Sequence, residues 1–245
     1  MQALTRAEDF RCMHERTEPG DPLVIPNVWD AVSARAFEAA GFPVLATSSA
    51  AVAAVLGYED GGHTPADEMF AAIARIVRAV DVPVTADIEA GYGLAPGEIV
   101  ERLLEAGAVG CNLEDSDPLT GQVKDPTQHA DWLAEVSVAA GDRLVLNARI
   151  DTFLFGDRSV ETAVKCARLY VEAGADVVFP ILAPAELLPD IAECIKRPVN
   201  ALCLPGGPTP AELGTLGASR VTFGHTLHAR ATTAIQDLIK QVSGR

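Results

Sequence analysis

Short apolar runs of β character alternate with helix-like stretches along the whole chain, and this alternation limits the fold more than any single motif does. After an opening amphipathic stretch over 4–16, strands are predicted over 23–27, 43–48, 83–89, 110–115, 144–151, 176–182, 199–204 and 220–224. Helices are predicted between and after them, over 31–40, 66–80, 97–106, 130–140, 160–173, 185–195, 210–216 and 227–242. Three helix ends carry a similar signature, Glu38-Ala-Ala-Gly41, Glu105-Ala-Gly-Ala108 and Glu172-Ala-Gly-Ala175. Glycine there suits the left-handed cap that turns a helix back toward the next strand. Runs such as Leu144-Val-Leu146 and Asp176-Val-Val-Phe179 are apolar without alternation, as strands buried on both faces of a parallel sheet must be. Eight such units with no linker or charge run between them predict an α/β fold, a (β/α)8 TIM barrel formed by residues 1–245 as a single domain, with an N-terminal helix and a gating loop near 116–128.

A chain of 245 residues fits one barrel of this kind, and 49% hydrophobic with 22% charged residues is the composition of a folded globule. The formal charge of −15 argues against nucleic acid or an anionic membrane as a partner, since both require a basic face. The five cysteines are scattered with no C-x-x-C pair, which points to a reduced, cytoplasmic setting and not to zinc. No apolar run approaches the length of a membrane span, and the acidic N-terminal stretch has no signal-peptide core.

In a barrel of this type, chemistry gathers at the carboxyl ends of the strands. The predicted ends carry Asn27, Thr47-Ser48-Ser49, Asp87 and Glu89, Asn112, Glu114 and Asp115, Asn147, Arg149 and Asp151, Asn200, and His225. Within Val84-Thr-Ala-Asp-Ile-Glu-Ala-Gly-Tyr-Gly93, Asp87 and Glu89 stand two residues apart, on one face if the strand continues through both. Paired carboxylates repel each other, a cost that a hard cation such as Mg2+ offsets; the alternative is a solvated loop. Glu114 is a third acid for such a site, and Asp60, in the loop after the second strand, a fourth. Arg149 presents a fork suited to a substrate carboxylate or, equally, to a buried ion pair with Glu114 or Asp151. Tyr92 either donates to a substrate oxygen or packs the turn. His225 and His228 are rim candidates for acid or base work, and Leu204-Pro-Gly-Gly-Pro-Thr-Pro210 is a rigid turn or, in a rival reading, a phosphate cradle.

Four motifs together resemble the phosphoenolpyruvate mutase/isocitrate lyase superfamily: Thr47-Ser-Ser with Leu56-Gly-Tyr-Glu-Asp60, then Ala86-Asp-Ile-Glu-Ala-Gly-Tyr-Gly93, Leu113-Glu-Asp115 and Ala148-Arg-Ile-Asp151. The resemblance covers most of the chain. It implies a (β/α)8 barrel that binds Mg2+, with Mn2+ as the alternative ion. It also implies a small anionic 2-oxo acid whose C–C or C–P bond is broken or moved through an enolate, as in a lyase, a decarboxylase or a phosphonopyruvate-hydrolase-like enzyme. On this resemblance Asp87 is the direct metal ligand, and Asp60, Glu89 and Glu114 act through water. Arg149 binds the carboxylate and stabilises enolate charge. Beside the resemblance, Tyr92 is a further catalytic candidate, and Lys124, the basic group of the 116–125 loop, either reaches a substrate phosphonate or carboxylate when the loop closes or is an ordinary surface lysine. Thr47, Ser48 and Ser49 hold the substrate oxygens, and Asn112 and Asn200 join the substrate-binding set. It further implies a homo-oligomer, a dimer or tetramer in which a C-terminal helix packs on a neighbour; because this chain stops soon after its eighth helix, that exchange is expected to be reduced.

Three departures narrow the expectation, the first being that the gate over 116–125 does not carry the lysine and asparagine pattern of the superfamily's mutase branch. The superfamily's lyases carry a Lys-Arg-Cys-Gly-His loop after the fourth strand; here the stretch reads Ser116-Asp-Pro-Leu-Thr-Gly-Gln-Val-Lys-Asp125, with neither Cys nor His, which excludes a cysteine-dependent isocitrate lyase. After the sixth strand, Phe179-Pro-Ile-Leu182 lacks the acidic residue that many relatives place there. A non-catalytic metabolite-binding barrel that retains the metal and oxo-acid pocket is the rival expectation.

Overall fold

The first barrel strand is broken in two. In the computed structural model, which describes residues 6–15, 18 and 20–243, Leu23–Val24 (β1) and Asn27–Val28 (β2) flank Ile25 and Pro26. Proline brings no N–H to the ladder, so the pairing is interrupted there. β1 pairs with Arg220–Thr222 (β9) and β2 with Leu45–Thr47 (β3). The order continues through Val84–Asp87 (β4), Gly110–Glu114 (β5), Val145–Ile150 (β6) and Val177–Pro180 (β7), all parallel. Asn200–Leu202 (β8) pairs with β9, and a parallel bridge between Val178 and Val199 joins β7 to β8. Counting β1 and β2 as one strand, eight parallel strands close on themselves as the alternation predicts.

Helices Ala31–Ala39 (α2 in chain order, after Arg6–Cys12, α1), Ala66–Val77 (α4), Pro96–Ala106 (α5), Pro126–Ala140 (α6), Val160–Glu172 (α7), Leu188–Ile195 (α8) and Pro210–Thr215 (α9) follow the predicted positions to within a turn, except that α6 starts four residues early. There Asp125 caps the helix by accepting from the Thr127 and Gln128 N–H groups, with Pro126 in the first turn. Ser49–Leu56 (α3) was not expected: Ala-rich and apolar on all sides, it shows no helical period, and it starts directly off β3 with Ser48 as its cap. Of the opening stretch over 4–16, residues 6–12 are helical, and 4, 5 and 16 lie outside the described residues. The three glycines of the recurring helix ends all take positive φ. At Gly174 a Cβ would stand 2.1 Å from the Ser137 hydroxyl, so glycine is required for space as well as for backbone.

The larger core lies between barrel and helices, where Ile73, Ile99, Leu103, Leu133 and Tyr170 meet the outward residues of the strands. A second cluster joins Phe10 of α1 to Leu23, Ile25, Val44, Val145 and Val177 near the strand starts. Arg11 ties α1 to the barrel through Asp176 at 2.8 Å and the Leu144 carbonyl at 2.9 Å. The amino end of the barrel is thus packed shut, which leaves the carboxyl end for function. The final helix, Thr226–Ser243 (α10), buries none of its residues. Among the described residues no helix is long and apolar enough to cross a membrane.

Candidate active site

At the carboxyl end of β4, the Asp87 Oδ2 atom accepts hydrogen bonds from the Ser49 backbone N–H at 3.0 Å and the Ser49 hydroxyl at 2.9 Å. The Asp87 N–H in turn donates to the Thr47 hydroxyl at 2.8 Å. Oδ1 of Asp87 is buried with no hydrogen-bond partner. The turn between β3 and α3 therefore fixes one carboxylate oxygen and leaves the other to face a ligand. Thr47 and Ser49, expected to hold substrate oxygens, spend these groups on positioning Asp87, and Ser48 caps α3.

The chain leaves the strand at Asp87, so Glu89 does not share a strand face with it as the spacing suggested. Glu89 has a φ of 50°, Tyr92 one of 54°, and Gly91 between them one of 86°. This tight turn tucks Glu89 inward until it is 2% exposed. Its Oε1 accepts from the Tyr92 hydroxyl at 3.0 Å, and Oε2 is buried without a partner. Burial, then the charges of Asp60 and Asp87, push the Glu89 carboxyl up to about 7. Asp60 is raised for the same reasons, burial first and Asp87 next. The Glu114 carboxyl is pushed well up by burial, against the pull of Arg149. Asp87 and Glu89 thus stand within electrostatic reach of each other and of both Asp60 and Glu114. Among the described residues no group of three or more His, Cys, Asp or Glu side chains is arranged to hold a metal ion on its own.

Register places Glu114 of β5 opposite Arg149 of β6. Arg149 donates from Nη1 to Glu114 and from Nε to Asp151 at 2.7 Å, so the ion-pair expectation is realised with both acids. Neither contact uses Nη2. Asp151 also accepts from the Ser116 hydroxyl, and Asp115 accepts from the Asp151 N–H and the Tyr170 hydroxyl, each at 2.8 Å. This network anchors the base of the 116–125 segment. Within that segment Ser116 bridges Val123, and Asp117 accepts from Leu119 and Thr120. Its tip lies close to Gly61 and Gly62, with Pro118 backbone 3.0 Å from where a Gly61 Cβ would stand.

A cavity of about 260 Å³ opens at this end of the barrel. Asn27, Ser48, Ser49, Asp60, Asp87, Asn112 and Arg149 line one side of it, Leu and Phe residues from the ends of β7 and β8 line much of the other, and His225 stands at the rim. Asn112 accepts from the Asn147 amide, and Asn27 ties Thr47 to the Phe223 and Gly224 N–H groups. Asn200 lies outside this lining, accepting from Thr222. Lys124 and Tyr92 line a neighbouring cavity of about 540 Å³, with Lys124 Nζ over the Trp132 ring at 5.7 Å. The apolar side went unnoticed in the sequence, where its residues read as continuations of strands.

The phosphoenolpyruvate phosphomutase family pattern matches residues 10–243. A 2-methylisocitrate lyase of Aeropyrum pernix is 33% identical over 81% of this chain and 67% of its own length. The chloroplastic carboxyvinyl-carboxyphosphonate phosphorylmutase of Arabidopsis thaliana is 33% identical over 93% and 72%. The crystal structure of a 2,3-dimethylmalate lyase superposes with a TM-score of 0.86 at 25% identity, covering all of this chain and 89% of that one.

Proposed function

Because the chain belongs to the phosphoenolpyruvate phosphomutase family, and is an enzyme of the phosphoenolpyruvate mutase/isocitrate lyase superfamily, we propose that it uses Mg2+ to cleave or rearrange a C–C or C–P bond in a small 2-oxo acid through an enolate. The observation that carries this reading is Asp87, with one oxygen fixed by Ser49 and the other buried and unpartnered beside a cavity that Arg149 also lines.

The donor set fits a hard cation: Asp87 Oδ1 would hold it directly, with Asp60, Glu89 and Glu114 reaching it through water, as suits an ion that gives up its hydration reluctantly. When bound, Mg2+ supplies positive charge beside the oxygens of a 2-oxo acid, where negative charge develops as the adjacent bond breaks. Arg149, oriented by Glu114 and Asp151, offers its unused Nη2 to the substrate carboxylate. Asn112 and the Ser48 region bind the remaining oxygens. His225 at the rim is the candidate proton donor in place of the absent loop cysteine. The 116–125 segment, held against Gly61 and Gly62, keeps water from the acid-rich side, and Lys124 belongs to that gate.

We place the enzyme in the cytoplasm, a setting that suits five free cysteines, and as a homo-oligomer whose contacts involve the exposed apolar residues of α10. Release of pyruvate or another 2-oxo acid from a panel of candidate substrates, with and without EDTA, tests the reading. Absence of both turnover and Mg2+-dependent binding across the panel would sink it.

A further inference from the structure

The two sides of the cavity differ in chemistry. Asp60, Asp87, Asn112 and Arg149 come from the ends of β4 to β6 and the loop after α3. The opposing wall is Leu154, Phe179, Ile181, Leu182, Leu202 and Leu204, contributed by the ends of β7 and β8 and by the segments that follow β6, β7 and β8. Among the described lining residues Arg149 is the only Arg or Lys, and it already answers two carboxylates. The one other group there able to carry positive charge, His225, stands within electrostatic reach of Asp60.

Leu182 adds an independent observation. It adopts a φ of 58°, in the left-handed region that disfavours a side chain, yet it is an apolar residue left 39% exposed at the mouth. Leu204, after the neighbouring strand β8, is 42% exposed. Apolar side chains held at a cavity mouth are covered when a ligand of matching character fills it. A second carboxylate or a phosphonate against this wall would be desolvated with no Arg or Lys to meet it beyond the already paired Arg149, inside a protein of formal charge −15.

Resting on the function proposed above, we infer that the substrate is a 2-oxo acid with a hydroxylated arm that is otherwise aliphatic and uncharged, seated on the Leu182–Leu204 side of the cavity; the C–C bond breaks with its electron pair left on the enolate, the arm departs as a neutral aldehyde, and the hydroxyl proton ends on the enolate carbon. The polar half takes the 2-oxo-acid end, and the apolar half selects against di- and tricarboxylates and against phosphonates.

The test compares 4-methyl-2-oxopentanoate with oxaloacetate, which differ in carrying an isopropyl group or a carboxylate at the same place. Binding to the full chain with Mg2+ is followed by calorimetry, with pyruvate as the common reference. The branched acid is expected to bind at least tenfold more tightly than oxaloacetate, and Leu204→Arg or Leu182→Arg to narrow or reverse that ratio. Equal or tighter binding of oxaloacetate by the unaltered chain would overturn the inference while leaving the Mg2+-dependent oxo-acid reading in place. A ratio that neither arginine variant moves would overturn the placement on this wall. Failure of all three acids, pyruvate included, to bind in a Mg2+-dependent way would remove the reading beneath it and the inference with it.

Discussion

Ser49 meets the Oδ2 atom of Asp87 twice, through its backbone N–H at 3.0 Å and its hydroxyl at 2.9 Å, so a single residue at the start of α3 sets the direction in which Asp87 Oδ1 points. Groups that orient a metal ligand are typically worth about 10–100-fold in metal affinity. Ser49→Ala removes only the hydroxyl contact, and an approximately tenfold weaker apparent Mg2+ affinity is expected with little change in melting temperature. Asp87→Asn is expected to abolish Mg2+-dependent activity in a folded protein. A metal titration of activity, paired with thermal unfolding, checks both; full activity in Asp87→Asn would remove Asp87 from the site.

Arg149 is shared between two acids that have little access to water, with side-chain exposures of 14% for Arg149, 7% for Glu114 and 0% for Asp151. Removing the shared cation leaves both carboxyls buried without it. Breaking such a pair typically costs about 3–5 kcal/mol. Arg149→Met is therefore expected to lower stability by roughly that amount in denaturant unfolding. Arg149→Lys, which keeps charge but loses the fork, should retain more stability than activity. Equal losses in the two variants would show that geometry adds nothing to charge.

The barrel was legible because parallel strands buried on both faces must be apolar throughout, and because turning helix into strand demands glycine at positions such as 41, 107 and 174. The clustering of acids in the candidate site was legible for a related reason: carboxylates ending apolar runs at one end of a barrel are brought together by the closure of the sheet. What escaped was set by tertiary packing. Ser49–Leu56 has no amphipathic period, so nothing local marks it as helix. Glu89 follows an unbroken β-like run, and only the positive φ at Glu89, Gly91 and Tyr92 takes it off the strand. Ile181, Leu182 and Leu204 lengthened the strands predicted over 176–182 and 199–204, whereas β7 stops at Pro180 and β8 at Leu202. An apolar rim residue and an apolar strand residue look alike in one dimension, so the apolar half of the cavity was hidden.

The apolar stripe on α10 has a consequence for assembly. Ile235, Leu238, Ile239 and Val242 recur at helical spacing and are 56%, 57%, 55% and 84% exposed. Exchange of a C-terminal helix between copies is expected to be reduced here, yet this 18-residue helix buries none of its own residues, which leaves the stripe open to a packed contact. The double variant Leu238→Glu with Ile239→Lys should shift the light-scattering mass toward the monomer while circular dichroism stays unchanged. An unaltered mass would take α10 out of the interface.

His129 is 2% exposed, stacked on Trp132 at 5.4 Å and edge-on to Tyr170 at 5.0 Å, and its Nε2 has no partner. Burial, with a smaller contribution from the charge of Lys124, lowers its pKa from 6.5 to about 3. The unfolded chain therefore takes up a proton as pH falls below about 6.5 while the folded chain does not, so this residue costs stability progressively between that pH and about 3. The slope is about 1.4 kcal/mol per pH unit within that window and vanishes above it. His14, lowered in the same direction, adds a parallel loss, which makes the comparison with a variant the informative one. His129→Phe keeps an aromatic ring between Trp132 and Tyr170 and removes the titrating group. Denaturant unfolding at pH 7.5 and pH 5 should find the variant losing about 2 kcal/mol less than the parent on acidification. Identical losses would mean that His129 is protonated in the folded state, in conflict with its burial.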